Sequence, residues 1–291
     1  MTDAKTLQLD DGRTLGYALL GDPAGTPAFF FHGTPGSRLV LSADDGIASI
    51  PGVRWILPDR PGYGVSSPQP GRTLLDWPRD VASLADHLGL ERFAVAGVSG
   101  GGPHAAACAF ALGPRVTATL LLASPAPASF RGATRGMALG NWIGIWLGRY
   151  APAVSRKLLA SSAAAVGRDP EGYLNALAGQ MAAPDRALLQ KLEVREAVLR
   201  DVREGYRQGS EAQASDGVLV LSAKDWGFEL GAIETRTFAW HGEDDILVTE
   251  AMARHLERKI PGCRLRILPN VGHFVTESTE VIEDCRRILA G

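Results

Sequence analysis

Two short alternating runs, TLQLDD and GRTLGYALLGD, open the chain on either side of Asp11-Gly12. An apolar/polar period of two flanking an Asp-Gly pair predicts an antiparallel hairpin. The pattern then changes to nearly continuous apolar runs at 28–31, 53–57, 93–98, 116–123, 237–240 and 265–268. Each is too short for a helix and reads as a parallel strand covered on both faces. Between them, 73–88, 101–112, 249–259 and 276–289 carry helical patterns, the first opened by a threonine and an aspartate. The βαβα alternation predicts an α/β fold, a doubly wound and mostly parallel sheet of eight strands.

From 125 to 233 the alternation stops. Apart from its boundary prolines and glycines (SPAPASFRG), this stretch reads as helical, with NWIGIWLGRY followed by RALLQKLEVREAVLRDVREGYRQ. So long a connection is expected to be a helical cap, inserted between core segments 1–124 and 234–291 and lying over the carboxyl edge of the sheet. That edge is where doubly wound sheets bind ligands, so the residues after each strand matter most.

After the strand at 93–98 comes GVSGG, with Gly97 and Gly101 two residues either side of Ser99. The G-x-S-x-G pattern fits a serine nucleophile on a tight strand-to-helix turn, and equally a plain glycine-rich hinge. The strand before it and the alanine-rich helix after it favour the nucleophile, and no phosphate-loop motif fits the same residues. A serine needs a base and an acid to orient that base. Of six histidines, His273 follows the last strand in the glycine-containing loop LPNVGHF. His241 suits a structural hydrogen bond to the acids beside it, and the other four read as satisfied imidazoles. Asp245 ends the GEDD loop after the strand at 237–240, whereas the loop after 116–123 holds no carboxylate. For the oxyanion, Gly100 offers one backbone N–H and Thr34, in HGTPGSR, a second.

Trp142, Trp146, Trp226 and Phe228 are candidates for an apolar substrate lining, with Tyr150 beside them, although a stripe at helical spacing also fits ordinary packing. Asp216 reads as either a polar substrate contact or a turn residue.

The 291 residues, 45% apolar and 21% charged with a net charge of -2, suffice for a substantial core and carry no basic stripe for nucleic acid. No leader pattern and no long apolar window predict a cytoplasmic protein with no membrane partner. Cys108, Cys263 and Cys285 lack metal or disulfide spacing and read as small packed side chains. No cofactor or metal motif appears, and the expected partner is a small, apolar or aromatic substrate.

In the order GVSGG, GEDD, GHF, with HGTPGSR and DRPGYGVS before them, the chain resembles the α/β-hydrolase superfamily over nearly its whole length. The resemblance implies a cap after the sixth strand and cofactor-free hydrolysis by Ser99, His273 and Asp245. It is nearest the capped esterase, lactonase and proline-iminopeptidase-like group. Ser99 stands where epoxide hydrolases have aspartate, and HGTPG departs from the peptidases' HGGPG. An ester or lactone is the expected substrate; carbon–carbon hydrolysis, aminopeptidase action, cofactor-free peroxidation and a non-catalytic binding role are the alternatives.

Overall fold

The computed structural model describes residues 4–41, 46–222 and 225–290. Its strands are β1 (Lys5–Gln8), β2 (Thr14–Gly21), β3 (Thr26–Phe31), β4 (Val53–Pro58), β5 (Phe93–Val98), β6 (Val116–Leu122), β7 (Thr237–Gly242) and β8 (Arg264–Leu268). Among the described residues they form one eight-stranded sheet in the order β1-β2-β4-β3-β5-β6-β7-β8. β1 and β2 pair antiparallel around the Gly12 turn, β2 joins β4 antiparallel, and the rest of the ladder is parallel.

The period of two divides the core between the two faces. Phe29, Phe31, Ile56 and Val95 point to one side, where they meet α1 (Trp77–His87), α2 (Gly102–Leu112) and, further along, α9 (Glu250–Lys259). Phe30, Trp55, Ala94 and Ala96 point to the other, toward residues 47–50 and α10 (Thr279–Ala290). Helices on both faces explain why these strands read as unbroken apolar runs. β8 differs from that reading: Arg264 and Arg266 are exposed while Leu265 and Ile267 are half-buried. It is an edge strand, and charged side chains on an edge discourage pairing with other chains.

Between β6 and β7 the ordered elements are helical: α3 (Leu139–Tyr150), α4 (Pro152–Arg168), α5 (Pro170–Gly179), α6 (Ala183–Leu188), α7 (Leu192–Gly205) and α8 (Glu211–Gly217). The single amphipathic pattern at 186–208 is broken between α6 and α7. The helices are not equally buried. α7 sinks Leu199, Val202 and Gly205, whereas α3 has no buried residue and α4 only Val166. No helix among the described residues is long and apolar enough to cross a membrane.

Candidate active site

β5 delivers Ser99 to the carboxyl edge with φ +51°, a left-handed backbone that a non-glycine residue adopts only when its surroundings enforce it. Those surroundings are backbone. A Cβ on Gly97 would lie 2.3 Å from the Gly101 carbonyl oxygen, and one on Gly101 would lie 2.1 Å from that of Phe31. Both flanking positions must therefore be glycine for the turn to close. α2 starts directly behind Ser99 and presents its free N–H groups.

His273 follows β8 and Asp245 follows β7, and the fold brings them together: Asp245 Oδ2 lies 2.7 Å from His273 Nδ1. Asp245 is fixed through its other oxygen, which accepts from the N–H groups of Leu247 (2.8 Å) and Val248 (3.0 Å). A carboxylate only accepts, so Nδ1 carries the proton and Nε2 is left with its lone pair. Burial alone would lower the His273 pKa, but the Asp245 charge and hydrogen bond, helped by Asp185, hold it above the ordinary histidine value. Burial would raise Asp245, yet its histidine partner keeps it below the usual carboxylate range. The two preceding acids, Glu243 and Asp244, are exposed.

Thr34 lies against the turn on the other side. A Cβ on Gly100 would fall 3.4 Å from Thr34 N and 2.2 Å from its Oγ1, so the two backbone N–H donors are neighbours. Ser99, Thr34, Gly100 and His273 line one cavity of about 720 Å³, roofed by residues of α3, α5, α7 and α8.

Two buried carboxylates, Asp185 and Asp216, and a half-buried one, Asp201, support this edge from the helical stretch, and sequence reasoning missed the role of each. Asp185 of α6 accepts from the N–H of His273 (2.9 Å) and of Phe274 (3.0 Å), fixing the loop that carries the imidazole. Asp201 of α7 accepts from Ser37 N and Ser37 Oγ, both at 2.7 Å, and so holds the HGTPGSR loop. Burial pushes Asp201 up to about 7, against the pull of those bonds. Asp216 of α8 lies within a helix rather than in a turn, and it lines the cavity. It is fully buried on Arg60 (2.8 Å), Arg72 and Tyr63 (3.0 Å), and those cations hold its carboxyl below the ordinary value despite burial. Arg60 also donates to the carbonyls of His32 and Gly33 and to Thr34 Oγ1 at 2.9 Å, so the Asp216–Arg60 pair braces Thr34 from below.

Of the remaining histidines, His32, His104 and His241 are buried. His32 accepts from Arg60 N through Nε2 and lies 2.8 Å from the Gly33 carbonyl through Nδ1. His104 binds the Gly100 carbonyl and is held neutral by burial, with a pKa of about 3. His241 is fully buried and makes no hydrogen bond to the acids beside it, contrary to its sequence reading.

The aromatic candidates lie elsewhere. Trp142 and Trp146 are 46% and 48% exposed on the outer side of α3, while Gly140, Asn141, Gly144, Ile145 and Gly148 of the same helix line the cavity. Trp226 donates to the Val220 carbonyl and packs with Phe228 and Phe110 in the core beside α2. None of the four lines the cavity; for Trp142 and Trp146 a helical stripe gives a period but not which side faces in.

The model of the alpha/beta hydrolase fold family matches residues 27–278. The chain belongs to that family. Among relatives of this α/β-fold hydrolase, an uncharacterized hydrolase of Bacillus subtilis (strain 168), YcgS, is 36% identical over 95 residues, and that match spans 32% of each chain. A non-heme haloperoxidase of Rhodococcus erythropolis is 26% identical over 274 residues, 90% of each chain. Among solved structures, the esterase RhEst1 of Rhodococcus sp. ECU1013 superposes with a TM-score of 0.66 at 19% identity, covering 100% of this chain and 99% of that one.

Proposed function

We propose that this α/β-fold hydrolase cleaves a carboxylic ester or lactone through an acyl-enzyme on Ser99. One observation carries the reading: a serine in a left-handed turn shares a cavity with a 2.7 Å Asp245–His273 pair whose second imidazole nitrogen is free to accept a proton. His273 Nε2 takes the Ser99 proton as Oγ attacks the carbonyl carbon, and Asp245 stabilises the imidazolium that forms. The N–H groups of Thr34 and Gly100 receive the oxyanion. The imidazolium then protonates the leaving alcohol, and water, deprotonated by the same nitrogen, releases the acid.

Residues 125–233 act as a cap over a core of 1–124 and 234–291, and set which substrates fit. The cavity wall, with Ile145, Leu159, Val194 and Val198 among its members, favours an apolar acyl or alcohol group. Three free cysteines suit a reducing, cytoplasmic setting.

Ser99→Ala tests the reading: p-nitrophenyl ester turnover falls by about a millionfold and fluorophosphonate labelling disappears. Wild-type-like turnover in that variant rejects it. The haloperoxidase relative supports a second use of the same acyl-enzyme, in which hydrogen peroxide replaces water and a peracid leaves. Halide oxidation that requires both a carboxylic acid and peroxide, and that is lost with Ser99, identifies this use.

A further inference from the structure

Seven of the nine exposed large apolar side chains among the described residues lie on α3 and α4. They are Leu139 (70% exposed), Trp142, Ile143, Trp146 and Tyr150 on α3 and Val154 and Leu158 on α4, and isolated apolar residues are common on surfaces whereas such a concentration is not. In α3, Trp142, Trp146 and Tyr150 fall at i, i+4 and i+8, one continuous stripe with the Trp146 and Tyr150 rings 5.5 Å apart. The opposite stripe, Gly140, Gly144 and Gly148, lines the cavity. One helix thus has an aromatic outer face and a glycine inner face.

Charge decides what covers the aromatic face. Residues 139–168 contain Arg149, Arg156, Lys157 and Arg168 and no Asp or Glu, in a chain whose net charge is -2. All four cations are exposed. Arg149 stacks on the Tyr150 ring, and Arg156 reaches Glu211 of α8 at 3.4 Å, itself an exposed pair. A two-fold contact with a second copy would set this cationic face against itself, with an acid beside it, Glu211 of α8, already paired with Arg156. An anionic bilayer surface supplies the missing charge and accepts the rest: Trp and Tyr rings sit at the headgroup level, Leu and Ile just below, and Lys and Arg among the phosphates.

We propose that the α3–α4 face docks this protein on an anionic lipid surface. The docking is peripheral, through two helices lying in the interface, and turns the α3 side of the cavity toward the membrane. It is independent of which bond the enzyme cleaves.

Co-flotation of the full chain with vesicles of pure phosphatidylglycerol, or of pure phosphatidylcholine, tests it. Strong binding to the first with a blue shift in tryptophan emission, and binding at least tenfold weaker to the second, supports the proposal. Arg156→Gln/Lys157→Gln then weakens phosphatidylglycerol binding by about thirtyfold. Trp142→Gln/Trp146→Gln weakens it by about tenfold or more while keeping the wild-type circular dichroism and thermal midpoint. Three results overturn it: no flotation with phosphatidylglycerol, equal flotation of the tryptophan double variant, or a solution dimer that this double variant dissociates. The last assigns the face to a second copy.

Discussion

The sheet edge and the helical stretch above it are built to different tolerances. At the edge, backbone meets backbone: Gly97 and Gly101 leave no room for a methyl group, and Ser99 is held in a conformation it would not choose alone. In the helices, α3 buries nothing and α4 one valine, yet α6 and α8 each send one carboxylate, and α7 two, Asp201 and Glu204, onto loops of the edge. The difference teaches that the helical stretch acts on the site through a few point contacts rather than through broad packing. Apart from the close approach of Gly205 of α7 to the Gly36 backbone, these contacts are single side chains, so the comparison can be broken one residue at a time.

The largest effect belongs to the edge itself. Asp245→Asn leaves the shape but replaces an acceptor that fixes the His273 tautomer, and kcat falls by about ten-thousandfold. Asp245 is also what lifts the His273 pKa against burial. In the proposed mechanism the base works as neutral imidazole, so the acid limb of kcat/KM should lie above the ordinary histidine value in the wild type and move to lower pH in the variant. A limb that stays in place separates Asp245 from His273.

Next comes the contact that matters for stability. Asp216→Ala leaves Arg60 and Arg72 charged and buried without their anion, which costs about 3–5 kcal/mol. The thermal midpoint should drop by roughly 10 °C. A drop of a degree or two would mean that Arg60 is satisfied by its carbonyl partners alone. Asp185→Ala is smaller and shows in activity: releasing the N–H groups of His273 and Phe274 lets the imidazole drift, lowering kcat by about a hundredfold with KM for a small ester unchanged. An unchanged kcat would show that Asp245 alone positions the ring.

Much of the edge was legible in the sequence because its physics is local or topological. Strands covered on both faces write unbroken apolar runs, and a doubly wound sheet gathers the residues that follow its strands. Ser99, Asp245, His273, Thr34 and Gly100 were chosen by that logic, and all but Asp245 line the cavity, with Asp245 bonded to the histidine that does. The helical contacts were not legible. Asp185 and Asp216 are single acids in otherwise ordinary segments, and their partners stand 88 and 156 residues away, a pairing that no short-range spacing records. The tryptophans failed for the complementary reason. Periodicity identified a stripe in α3, but the narrow glycine side, not the broad aromatic side, was the one that faces in.

The smallest predicted effect concerns Asp201, and its sign runs opposite to the others. The carboxyl lines the cavity and is bonded to Ser37 N and Ser37 Oγ, while Asp59 adds like charge and Arg200 opposite charge nearby. In the unfolded chain it titrates near 3.9, and in the folded protein at about 7. Between those values the folded state holds a proton that the unfolded state has lost, so this group's contribution to stability falls as pH rises from about 4 to about 7 and stays low above. Asp201→Asn keeps an oxygen for Ser37 and removes the titration. The variant should therefore melt a few degrees higher than the wild type at pH 8, with the gap closing as pH falls toward 4. Thermal melts of both proteins across that range check it, and parallel curves would show that the carboxyl is already matched by charge elsewhere, making α7 a settled brace rather than a strained one.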